Sequence, residues 1–99
     1  MKKNYVITLL AIEPNDRKII MSDRTDNEET AINLYFHYEK VQKTIQAEVD
    51  KSIEVVLLFD VFCEDSFYNA IERYDFFSKI QSIKDKVRLP FGDITMIIL

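Results

Sequence analysis

The sequence predicts an α+β fold: one mixed sheet of about four strands with two helices packed on it, in the order ββαβαβ. Three observations carry that expectation. Runs rich in β-branched and aromatic residues recur at 4–12, 18–23, 53–62 and 93–99. Two longer segments, 27–50 and 65–87, repeat apolar residues at helical spacing. Only one Gly and two Pro punctuate the 99 residues, and no repeat, low-complexity stretch or linker divides them, so a single domain over 1–99 is expected. A ferredoxin-like βαββαβ order requires moving a strand and ranks second.

The first strand, "NYVITLLAI" (4–12), is apolar on both faces. "EPNDR" (13–17) reads as a turn, because Pro14 presets φ and Asn15 and Asp16 tolerate turn geometry. "KIIMSD" (18–23) returns as the second strand of a hairpin, with Ser22 and Asp23 suited to an edge. In the first helix Ala31, Leu34, Tyr35, Tyr38, Val41, Ile45 and Val49 form one stripe. Asp26, three residues before Glu29, is expected to cap it. "IEVVLLFDVF" (53–62) is apolar on both faces, as a central strand is.

The second helix is expected over 65–87, capped by Asp65, with Phe67, Ala70, Ile71, Tyr74 and Phe77 toward the sheet. "RLPFGD" (88–93) stops it through Pro90 and Gly92, and "DITMIIL" (93–99) is the last strand.

Composition narrows the function classes. An apolar fraction of 47% suffices for one core, and 30% charged residues argue against disorder. No apolar run approaches the ~20 residues that span a bilayer, so no membrane association is expected. "MKKNYVITLL" lacks a small-residue cleavage site and reads as a strand rather than a leader. Cys63 is the only cysteine, which suits a reducing, cytoplasmic setting. A net charge of −4 disfavours direct nucleic-acid binding. The charge is segregated. Residues 23–29 carry four acids and one Arg, and 60–75 carry five acids against Arg73. Residues 79–88 carry four bases against Asp85.

Motifs for chemistry are sparse. Asp60, Glu64 and Asp65 follow one another at a strand end, where three carboxylates converging on Mg²⁺ would make a small metal-dependent hydrolase. The simpler reading is that Glu64 and Asp65 favour the positive end of the second helix and the later lysines its negative end. His37, the only histidine, falls off the apolar stripe and reads as solvated. There is no phosphate loop and no nucleophile elbow, so no cofactor is expected.

What remains is surplus apolar surface. Ile32 and Phe36 lie roughly opposite the main stripe of the first helix, and Phe76, Ile80 and Ile83 make a second stripe on the second helix. If both helices cover one face of the sheet, the other face stays bare. Asp23, Asp26, Glu28 and Glu29 would set an acidic ring beside Ile32 and Phe36. The expected function is therefore non-enzymatic protein–protein binding, through these residues, to a basic or nucleic-acid-handling partner that it inhibits, or to a second copy as a homodimer.

Overall fold

The computed structural model of the chain describes residues 2–88. Their order is β1 (Lys3–Glu13), β2 (Asp16–Thr25), α1 (Glu28–Glu48), β3 (Glu54–Cys63) and α2 (Asn69–Arg88), with a 3-10 turn at Ser66–Tyr68 leading into α2. The fold is α+β. The sheet has three strands in the order β2-β1-β3, with β1 antiparallel to both neighbours. This corrects the four-stranded mixed sheet: among the described residues the order is ββαβα and every pairing is antiparallel. No helix separates β1 from β2, which sets aside βαββαβ. The expected helix stop at Pro90 and Gly92 and the strand at 93–99 lie outside the described residues.

The hairpin turns at Pro14 and Asn15, as their chemistry dictates, and Glu13 pairs with Asp16 across it. One irregularity follows. Leu9 pairs with Met21 but Leu10 pairs with Ile19, so Ile20 is an extra residue in β2. Such a bulge resets which side chains share a face. It puts Ile19 beside Leu10 and Arg17 beside Ile12.

Both helices lie on one face. Tyr5, Ile7 and Leu9 of β1 and Val55 and Val61 of β3 point into a core completed by Ala31, Tyr35 and Tyr38 of α1 and Phe76 and Ile80 of α2. Packing is strongly aromatic. The Phe76 ring sits 5.2 Å from Tyr5, 5.3 Å from Phe59 and 6.4 Å from Tyr35, tilted or edge-on, the arrangements that ring quadrupoles favour. Burial of Ala31, Tyr35 and Tyr38 follows the stripe read from the sequence. α2 does the reverse: Phe76 and Ile80, read as surplus, are buried, whereas Phe67, Ile71, Tyr74 and Phe77, read as core, are exposed.

The caps also differ from expectation. Asn27, not Asp26, caps α1 by accepting a hydrogen bond from the Thr30 amide at 2.8 Å. Asp65 caps the 3-10 turn, through the Phe67 amide at 3.0 Å, so α2 itself begins four residues later.

The outer edge of β3 is capped by side chains at both ends. Gln46 accepts from the Val55 amide at 2.8 Å and donates to the Ile53 carbonyl at 2.9 Å, while Gln42 donates to the Val55 carbonyl at 2.9 Å. Farther along, the Val61 amide donates to the Asp60 carboxylate and the Cys63 amide to Asn69. A fourth strand at this edge would compete for those same backbone groups. Gln46→Leu is expected to cost about 1–3 kcal/mol by stranding the Val55 amide and Ile53 carbonyl. Urea unfolding checks it, and an unchanged midpoint would show the clasp to be idle.

Candidate functional site

The residues singled out by sequence divide into three fates. Phe76 and Ile80 are 2% and 0% exposed, so neither is available to a partner; Ile83 is half-buried. The correction has a physical cause. α2 is oriented by ion pairs as well as by its apolar side chains. Glu72 meets Lys3 of β1 at 2.8 Å, Arg73 meets Asp60 of β3 at 2.8 Å, Lys79 meets Glu28 of α1 at 2.8 Å, and Lys84 meets Glu39 of α1 at 2.6 Å. The rotation that turns Phe76 and Ile80 inward makes all four pairs.

The acidic ring is partly dismantled. Asp23 accepts a 2.6 Å hydrogen bond from the buried Tyr38 hydroxyl, tying α1 to β2. Glu28 accepts from the Tyr5 hydroxyl at 3.1 Å and from Lys79 at 2.8 and 3.0 Å. The Lys79 hydrogen bond holds the Glu28 carboxyl below its ordinary range, against the opposing effect of its partial burial, and Glu28 in turn raises Lys79. Both carboxylates serve the fold. Asp26 and Glu29 remain exposed, and Ile32 and Phe36 are half-buried against the core.

Asp60, Glu64 and Asp65 do not assemble. Asp60 is engaged by Arg73 and the Val61 amide, Asp65 caps the 3-10 turn, and Glu64 is exposed. Among the described residues no three His, Cys, Asp or Glu side chains come together as a metal-binding group. His37 is exposed, in edge contact with Tyr38. Cys63 is a half-buried free thiol whose amide is bound to Asn69.

Two apolar surfaces are left. The first runs along α2 and the turn before it: Phe67 is 79% exposed, Tyr74 73% and Ile71 60%. Phe77 stacks on Phe59 with rings 3° from parallel, anchoring the stripe to the sheet. An open groove of about 490 Å³ continues it past Tyr74 and Phe77 toward Ser78 and Gln81. Glu64, Asp65 and Asp75 flank the stripe and are exposed. Sequence reasoning missed this surface because its residues have the same spacing as a core stripe.

The second surface is the sheet face away from the helices. Val6, Leu10, Ile12 and Val56 are only half-buried there, and Ile19, Leu58 and Phe62 are exposed. This is the bare face expected if both helices share one side. No helix of the described residues is long and apolar enough to cross a membrane. No protein-family model, curated protein or solved structure matches the chain.

Proposed function

We propose that the protein is a non-enzymatic binding protein that docks the α2 stripe into an apolar groove with a basic rim on another protein, and inhibits that partner by occupying the groove. The observation that carries this reading is the exposure of Phe67, Ile71 and Tyr74 in a row on the helix side remote from the core. Helices recognised in grooves present anchors at this spacing. Large aromatic anchors in a desolvated pocket supply most of the affinity at such contacts. Around the stripe stand the exposed carboxylates Glu64, Asp65 and Asp75, whereas Asp60 and Glu72 are taken up by Arg73 and Lys3. An acidic border selects a basic rim and speeds encounter with it. A nucleic-acid-handling protein has such a groove, and occupation would block it. The lone thiol suits a cytoplasmic site of action.

The double variant Ile71→Asp/Tyr74→Asp tests the reading. Both side chains are exposed, so stability is expected to move by no more than about 0.5 kcal/mol per site. Binding is expected to fall at least ~30-fold, the loss of about 2 kcal/mol typical of one strong anchor. The readout is affinity capture from cell extract with wild-type and variant protein side by side. A protein held by the wild type, released by salt and not held by the variant supports the proposal. Identical captures with both would overturn it.

A further inference from the structure

The bare sheet face carries a charge pattern that its own two-fold image complements, and we infer that a second copy of this chain covers it. Strand register places side chains in rows across the face. One row runs Arg24, Val6, Asp60; another, at the opposite end, runs Arg17, Ile12, Glu54. Between them lie Ser22, Thr8, Leu58 and then Ile19, Leu10, Val56. Bases therefore occupy both ends of the β2 side, and acids both ends of the β3 side. The centre is apolar except for Thr8 and Ser22, whose hydroxyls bond each other at 3.0 Å.

Two copies packed face to face can be related by a two-fold axis along β1 or across it. With the axis along β1, each β2 lies over the other copy's β3 with rows kept level. Arg24 then faces Asp60, and Arg17 faces Glu54, twice each. Ile19 covers Val56, and the Ser22–Thr8 pair enters the interface already satisfied. Long side chains at the corners of packed sheets bridge the spacing of ~10 Å. With the axis across the strands, β2 lies over β2, so Arg24 faces Arg17 and Asp60 faces Glu54. Like charges then meet at all four corners, and that arrangement is rejected. The bulge at Ile20 decides which residues supply the pattern: without it, Lys18 and Ile20 would take the places of Arg17 and Ile19 on this face. The contact is isologous and closes on itself, giving a dimer.

This surface is separate from the α2 stripe, so either assignment stands or falls without the other. The test is a charge-swap series weighed by analytical ultracentrifugation. Arg17 and Glu54 are chosen because both are exposed and Asp60 already serves Arg73. Wild-type protein is expected at the mass of two chains. Arg17→Glu and Glu54→Arg each place like charges at two corners and are expected to weaken the dimer at least about tenfold. Mixing the two variants is expected to restore it, because only the heterodimer pairs opposite charges at both corners. Circular dichroism of each variant checks that the fold is kept. A wild-type chain that stays single at high concentration, a dimer indifferent to both reversals, or a mixture that fails to re-form it would each overturn the inference.

Discussion

Ile80→Asp is expected to leave no stably folded protein, and Phe76→Ala to lose about 3–5 kcal/mol of stability. Ile80 is completely enclosed, and among the described residues the core contains no other polar or charged residue that is buried. A carboxylate there has no partner and no water. It must take up a proton, expel the helix or unfold the chain. Phe76 touches three aromatic rings, so its truncation opens a cavity lined by Tyr5, Tyr35 and Phe59. Against a total stability of about 5–15 kcal/mol for a domain of this kind, either change is severe. Urea denaturation of Phe76→Ala and circular dichroism of Ile80→Asp are the measurements. A Phe76→Ala loss under about 1 kcal/mol would show that α2 is not part of the cooperative core.

Steep loss of stability in alkali is the second large expectation. Tyr5, Tyr35 and Tyr38 are 4%, 8% and 0% exposed. Burial pushes all three phenols above their ordinary value; the carboxylates Glu28 and Asp23 push the same way at Tyr5 and Tyr38, while at Tyr35 the Lys84 ammonium opposes burial more than Glu39 aids it. In the unfolded chain each releases its proton near pH ~10. The folded state keeps all three, so above that pH it binds more protons than the unfolded state and stability falls as pH rises. The full contribution is present below pH ~10 and disappears as pH climbs toward the folded values. Each tyrosine contributes a slope of at most about 1.4 kcal/mol per pH unit, so three give at most about 4 kcal/mol per pH unit. Lys3 and Lys79, raised by Glu72 and Glu28, act in the same direction, but weakly because both pairs are solvated. Urea midpoints measured from about pH 8 to 11 should therefore collapse above pH ~10, and Tyr38→Phe should flatten the slope by about a third. A midpoint that holds through pH ~11 would contradict the burial of these rings.

Local chemistry was readable where one physical cause dominated. The hairpin turn at Pro14–Asn15, the inward stripe of α1 and the strand character of 54–62 each follow from neighbouring residues. Tertiary forces decided the rest. α2 has two apolar stripes of equal helical spacing, and periodicity alone cannot choose between them. The choice is made by contacts from other elements: Phe76 packs against Tyr5, Tyr35 and Phe59, and Lys3, Asp60, Glu28 and Glu39 pair with charges that only this rotation brings to them. The cap shifted from Asp26 to Asn27 because Thr25 accepts the Asn27 amide and sets its side chain against Thr30. The bulge at Ile20 leaves no mark in composition, yet it decides which residues share the bare face. The acidic ring was misread for a similar reason: Asp23 and Glu28 look like surface charge until the core hydroxyls of Tyr38 and Tyr5 are placed beside them.

The glutamine clasp on β3 bears on how the protein behaves when crowded. Filaments grow by adding strands at both flanks of a sheet. Here one flank is capped at its two ends, by Gln42 and Gln46 and by Asp60 and Asn69, and the other, β2, is studded with Asp16, Arg17, Lys18, Asp23 and Arg24. With both ends of the β3 flank already bonded to side chains, an added strand finds only a short middle stretch to pair with, which disfavours edge-on growth.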